Sequence, residues 1–432
     1  MTPQSHFNIL APVAAEHIGP LRAVLQGMNS LPGFADPDNG LIPFGHFDRL
    51  HFARLVVLED ATLGDITAYD LPPATPPTYL AFMGDCDGPA RELLGLLVQR
   101  AGDGLRRIFQ HCADFEPQAD LLDWLLAHEV PVAASFVNWV GRTVVQIREE
   151  SALQRVLTAR VSRDPVDSGA EGQRRRSELL AFVADEVRAG RLSLTAPRPT
   201  PWGWWIARLI NAIAVPLGGL ILAPVLILVS PFLIWKLRSL ETSDPEICPR
   251  PTPASLSALE RLEDFDVTNQ YTALGSLKPG LFRRWLLSSL LVLVQYFCRH
   301  LFCRGYLARV QTIHFARWVF LDGGSRMVFC SSYDGGHEAY MDDFIDKVAW
   351  GLNLLFSNGL GWPRTDWLLA RGARREHLFK YYQRRHQVPT EVWYKAYPGL
   401  TLIDIDRNQQ IRAGLERQYS SAAQTLAWLK LL

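Results

Sequence analysis

The stretch HFARLVVLED, His51 to Asp60, is nearly repeated as HFARWVFLDG, His314 to Gly323. A second block follows in the same order. Phe82, Asp87 and Gly88 of TYLAFMGDCDG line up with Phe329, Asp334 and Gly335, and Gly104, Leu105 and Phe109 then meet Gly351, Leu352 and Phe356 without a gap. A third block, HEVPVAASFVNWVGRTVVQI from His128, matches HQVPTEVWYKAYPGLTLIDI from His386. Blocks in one order, each with its own offset, mark two homologous halves with insertions in their loops. They exclude a solenoid, whose period is short and fixed.

The first copy reads as strand, helix, strand, strand, helix, strand. HFNILAPVA is apolar and extended, and EHIGPLRAVLQGM follows with helical spacing. HFARLVVLE and TYLAFMG are β-rich runs separated by a turn region with Pro72, Pro73, Pro76 and Pro77. Leu93, Leu94, Leu97 and Val98 recur at helical spacing, LLDWLLAHE is a further helix, and SFVNWVGRTVVQI is the last strand. This βαββαβ order is the ferredoxin-like α+β pattern, with helices over one face of an antiparallel sheet. The expected organisation is a first repeat over 1–160, a charged linker with a helix over 161–200, a membrane-associated segment with a polar loop over 201–310, and a second repeat over 311–432.

A strand with one solvated face alternates apolar and polar residues. The repeated strand does not: Phe52, Val56 and Leu58 alternate with Ala53, Leu55 and Val57, and Phe315, Val319 and Leu321 with Ala316, Trp318 and Phe320. Something must cover the face the helices leave. The candidates are the other repeat, packed sheet to sheet as an intrachain pseudo-dimer, or a second copy in a homo-oligomer.

Between the copies, Leu209 to Trp235 carries no charge and is long enough to cross a bilayer. Trp202, Trp204 and Trp205 at one end and Trp235 at the other suit interfacial belts. A second run, Trp285 to Phe297, is short for a span and fits an interfacial or re-entrant segment. Basic residues flank both runs on both sides, so both ends of each look cytoplasmic. Halves that pack together must share one side of the membrane, so either both runs span, or neither does and the first is a hairpin broken at Pro216, Pro224 and Pro231 that dips into the inner leaflet; the hairpin is the favoured expectation. MTPQSHFNIL has no basic region followed by an apolar run, so no signal peptide is expected and both repeats are expected on the cytoplasmic side.

With 44 Lys and Arg against 44 Asp and Glu, the chain lacks the broad positive field of a nucleic-acid protein. Its 6 cysteines form no CxxC pair and read as small buried hydrophobes.

Several residues could carry chemistry. Arg54 and Arg317 interrupt an apolar strand and need a partner, either an internal carboxylate or a ligand anion. His51 and His314 start that strand, as core histidines or ligands. Asp87-Gly88 and Asp334-Gly335 end a strand and open a helix, which suits an N-cap and a turn. Glu338, Asp342 and Asp346 share one helical face, as a solvated acidic stripe or a cation site. Trp393, Tyr394, Tyr397, Phe136 and Trp139 could fill the core or line a pocket between the sheets. EDFDVTNQYTALGSLKPG is a polar stretch with no assignable mechanism. The sequence has no nucleophile elbow, phosphate loop, zinc spacing or Rossmann fingerprint.

With HFAR, DG and HxVP each written twice, and with TIHFARWVFLD and GWPRTDWLL, the chain resembles a group of bacterial membrane-associated proteins with two ferredoxin-like repeats. No activity follows from that. More distantly, each half resembles the dimeric α+β-barrel superfamily, which includes dye-decolourising peroxidases, chlorite dismutases and small monooxygenases. The distal GxxDG of the first of these is matched by Gly84-Asp85-Cys86-Asp87-Gly88, while the second copy has Ser331 in place of the glycine. This resemblance implies an oxidoreductase with haem, for which His314 and His386 are the available proximal ligands and Arg317 a cofactor anchor. The leading expectation is different: a membrane-anchored accessory protein that holds a hydrophobic or lipid-like ligand between its two sheets.

Overall fold

The computed structural model describes residues 1–73, 75–161, 169–417 and 421–432. The charged stretch 162–168, at the start of the expected linker, lies outside the described residues. The fold is α+β, with two sheets packed face to face and helices outside them.

The first sheet holds β1 (Gln4–Val13), β2 (Leu50–Leu58) and β3 (Thr78–Asp87). The second holds β4 (Ala134–Val137), β5 (Thr268–Ser276), β6 (Ile313–Leu321) and β7 (Arg326–Asp334). The last strand, β8 (Val392–Lys395), returns to the first sheet. The orders are β1-β3-β2-β8, extended by two short strands at Phe34–Ala35 and Asn29–Leu31, and β4-β6-β7-β5.

The closing strands are exchanged. β4, from the N-terminal portion, pairs with β6, and β8, from the C-terminal portion, pairs with β2. The two registers correspond under the sequence repeat. Ala134 stands opposite Trp318, while Val392 stands opposite Leu55, its partner's counterpart. The space between the sheets is filled by Leu10, Val56, Leu58, Ala81 and Met83 from one side and Leu274, Val319, Leu321, Val328 and Cys330 from the other. That closes the intersheet pocket expected from sequence. Trp393, Tyr394 and Tyr397 belong to the core of the first sheet, and Phe136 to that of the second.

Helices α1 (Ala15–Gln26), α2 (Ala90–Phe109) and α3 (Leu121–Ala127) belong to the first portion. In α2, Leu93, Leu94 and Leu97 are buried, as their spacing predicts, while Val98 is half-buried. SFVNWVGRTVVQI is a strand only as far as Val137, because Thr143 starts α4 (Val144–Arg160). Thr143 and Gln146 form a capping box, and Thr401 and Asp404 form another at α11 (Leu402–Glu416). The linker helix is α5 (Gly169–Arg188), whose Leu179 and Val183 pack with α4, α11 and α12 (Ala422–Leu429).

α6 (Trp202–Ser243) is one continuous helix of 42 residues, so the expected break at the prolines is not made. Each proline removes one donor, yet the remaining bonds carry the helix through. After α7 (Pro253–Glu260) comes β5, inside the stretch read from sequence as a polar loop. The second sheet therefore begins well before residue 311. Its strand was missed because Asn269, Gln270 and Thr272 are polar, though buried.

α8 (Leu281–His300) connects β5 to β6, and both of these run antiparallel to β7. It buries Leu287 and Leu291 in the core of the second sheet, beside α9 (His337–Phe356). The second apolar run therefore belongs to a helix that covers the sheet. α10 (Glu376–His386) completes the layer.

Candidate functional site

Arg54 and Arg317 each cross to the opposite sheet. Arg317 donates to the Phe7 carbonyl at 3.2 Å, Asn8 Oδ1 at 3.0 Å and the Gly84 carbonyl at 3.1 Å, and ion-pairs with Asp85. Arg54 donates to the Tyr271 carbonyl at 2.8 Å, Thr272 Oγ1 at 3.0 Å, the Ser331 carbonyl at 3.1 Å and Ser332 Oγ at 2.9 Å. The acceptors are the repeat's own counterparts, with Ser332 where the first copy has Asp85. Both guanidiniums are buried and occupied, so they clamp the two sheets together and hold no space for a ligand anion. His6 Nδ1 meets Asp85 at 2.7 Å. Burial pushes the Asp85 carboxyl up, but Arg317, His6 and Arg54 together hold it below its ordinary value.

The two strand-start histidines come together at one place. His51 Nε2 lies 3.0 Å from Asp87 Oδ1, and His314 Nε2 lies 2.7 Å from Asp334 Oδ1. The other carboxylate oxygens accept from Val144 N at 2.9 Å and Leu402 N at 2.7 Å. Asp87 and Asp334 thus anchor the starts of α4 and α11. They do not cap α2 and α9, whose N-caps, Pro89 and Gly336, make no side-chain bond. Gly88 and Gly335 do serve the turn, at φ +73 and +88. Burial raises the Asp334 carboxyl, and His314, the Leu402 N–H and Thr268 outweigh it and hold it low. His51, His314, Phe315 and Tyr397 surround a cavity of about 20 Å³, room for one water.

These residues do not fit haem. His386 is buried, stacked on Tyr382 at 3.9 Å and bonded through Nδ1 to the Tyr382 carbonyl at 2.9 Å. Its Nε2 has no partner among the described residues, but the adjoining cavity is about 20 Å³, far below the volume of a macrocycle. Burial pushes the His386 imidazole pKa down. Glu338 and Asp342 meet Lys380 at 3.3 and 2.7 Å, so the acidic stripe is part of an ion-pair network. Among the described residues no group of three metal-ligating side chains assembles.

The apolar space lies outside the second sheet. A cavity of about 180 Å³ is bounded by Leu290, Val294 and Phe297 of α8, Trp318 of β6, and Phe344 and Val348 of α9. That exceeds a 150 Å³ protein cavity known to admit benzene. Leu293 (45% exposed), Phe297 (39%) and Trp350 (47%) both line it and face outward, which places its mouth on the outer side of α8. Trp318, otherwise buried, carries an indole N–H with no partner among the described residues. The first half has Leu55 at this position. Gly351 also lines the cavity, and a Cβ there would meet nothing within 4 Å.

α6 and α8 are each long and apolar enough to cross a membrane, by length and composition. Leu220, Ile221 and Leu222, and then Val225 to Leu228, are exposed in sequence, so mid-α6 is apolar all round and free of the body. Trp202, Trp205, Trp235 and Trp285 are exposed, while Trp204 is half-buried under Arg208. Both ends of α6 hold the folded body. Asn211 meets His300 at 2.9 Å, Asp244 meets Arg283 at 2.6 Å and Lys278 at 3.0 Å, and buried Glu241 accepts from Leu368 N at 2.8 Å.

The cavity was missed in sequence because its lining reads as ordinary core. The one available signal was Trp318 at a position occupied by leucine in the first copy. Comparison with protein-family models, curated proteins and solved structures finds no match.

Proposed function

We propose that this is a membrane-seated binding protein which takes an apolar or lipid-like ligand from the bilayer into the cavity beneath α8. The observation that carries this is the position of the mouth, where exposed Leu293 and Phe297 of the apolar helix α8 meet exposed Trp350 of α9. A ligand dissolved in hydrocarbon would enter without crossing water. The two unpartnered features of the cavity, its empty volume and the Trp318 N–H, describe the ligand: a ring or short alkyl segment bearing one hydrogen-bond acceptor. In this reading the scaffold is two ferredoxin-like repeats that have exchanged their last strands to form a pseudo-dimer. Because both ends of α6 rest on one body, α6 seats the protein in one leaflet, with both repeats on the cytoplasmic side.

The test is organic extraction and mass spectrometry of protein purified in lipid nanodiscs, compared with Gly351→Phe, which fills the cavity. The wild type is expected to carry a defined hydrophobe near one per chain, and the variant none, with unchanged folding. Equal loading of the two proteins would sink the proposal.

A further inference from the structure

A second space, of about 410 Å³, opens on the other side of α8, between it, β1, the segment Glu129 to Val132 and the start of α6; Glu129, the carboxyl in this lining, has its pKa raised by burial. Its chemistry is the opposite of the apolar cavity's. Arg208 of α6 and Arg299 of α8 both line it, and among the described residues neither has an ion-pair partner. Arg208 is held by its stack on Trp204, 5.2 Å from the ring. Both guanidiniums also act on His300, whose imidazole is pushed toward its neutral form by burial, Arg208 and Arg299. The two cations therefore share one site, at the point where the apolar helix α6 leaves the body.

The wall opposite is polar and built. His6 lines the groove with its side chain 8% exposed, and its Nδ1 is taken by Asp85 at 2.7 Å. A carboxylate only accepts, so Nδ1 carries the proton and Nε2 is the acceptor. Nε2 has no partner among the described residues. Gln295 and Ser135 complete the wall, joined through the Ser135 N–H at 2.7 Å.

We infer that this groove binds the phosphodiester headgroup of an anionic lipid, with the phosphate on Arg208 and Arg299 and a headgroup hydroxyl donating to His6 Nε2. The inference rests on the membrane seat proposed above. A lipid source is favoured over a soluble ester because Trp204 and Arg208 belong to the helix that carries the apolar surface.

The experiment is vesicle flotation of the full chain with phosphatidylcholine alone and with added phosphatidylglycerol, and with glycerol phosphate as a soluble competitor. Two arginines near an anionic surface, each contributing about fivefold, give an expected preference of about twenty-five-fold for the anionic vesicles. Arg208→Gln with Arg299→Gln is expected to abolish that preference. Arg284→Gln with Arg304→Gln, which removes the same charge outside the groove, should retain most of it. Equal losses in the two double variants would mean diffuse attraction and overturn the site. Tight binding of glycerol phosphate without a vesicle preference would overturn the lipid assignment. Binding to neutral vesicles reports the seat alone, so failure of the seat and failure of the headgroup site are read separately.

Discussion

Asp85 is a carboxylate set among two buried guanidiniums, those of Arg317 and Arg54. Arg317 touches it, whereas Arg54 has only carbonyl and hydroxyl acceptors, and burial, which is the largest influence, pulls its pKa down. Removing one member of a buried pair costs about 3–5 kcal/mol, because the other charge is left without compensation. Asp85→Asn is therefore expected to lower stability by about that much, measured as a shift of the urea midpoint at pH 7. Ser332→Asp in the same background gives Arg54 the carboxylate that Arg317 has lost, and is expected to recover part of the deficit. The sign with pH follows from the lowered Asp85 carboxyl. Below about pH 4 the unfolded chain binds the proton first, so this stability is present above that pH and lost as pH falls through the folded value. Asp85→Asn should lack that limb of the acid profile. At the cavity, Trp318→Phe keeps the ring and removes an unsatisfied donor. It should leave stability unchanged or raised while weakening retention of the ligand, read by the same extraction.

At the scale of elements, the repeat lets one substitution be tried in two contexts. α2 and α9 are both interrupted at the same repeat position, Ala101 and Val348, and both then present a glycine, Gly104 and Gly351. A Cβ at Gly104 would stand 1.9 Å from the Leu41 carbonyl, whereas at Gly351 it would meet nothing. Gly104→Ala is expected to destabilise by more than about 2 kcal/mol through overpacking. Gly351→Ala should stabilise by roughly 0.5–1 kcal/mol through helix propensity. Thermal denaturation of the two variants decides this, and a common sign would refute the assigned packing. The contrast also explains what sequence could reveal. The apolar spacing of α2 and the two-faced burial of β2 and β6 were legible, because local pattern dictates which faces are covered. The starts of α4 and α11 were missed: Thr143-x-x-Gln146 and Thr401-x-x-Asp404 mark them, but the β-branched Val144, Val145 and Ile403 beside each threonine read as strand. β5 was not legible, because buried hydroxyls and amides stand where strand patterns expect hydrocarbon. They are there to receive Arg54 and to bond Lys395 and Asp334, which lie on other elements.

At the scale of the molecule, the exchange of β4 and β8 fixes how the halves depend on each other. Periodicity decides which face of a strand is buried but not which edge it joins. Homologous edges offer the same register, so the sequence alone permitted either pairing. Once exchanged, neither half closes its own sheet. Without β8, residues Phe52 to Leu55 of β2 become an unpaired apolar edge, and without β4 the same is true of Phe315 to Trp318 of β6. Such edges recruit other chains. Two structural consequences follow from the exchange and the arginine clamp together. Unfolding of the body should be a single cooperative transition, followed equally by probes in either sheet. A cut in the loop 245–252, after α6, should yield two pieces that fold only together. Expressed separately, each is expected to aggregate or to form a homodimer that swaps its own strand into the vacant place. Co-expressed, they should elute from size exclusion as a one-to-one complex with the ligand retention of the intact chain. Two separately soluble, monomeric pieces would show that the strands return to their own sheets, and the exchange would then have to be abandoned.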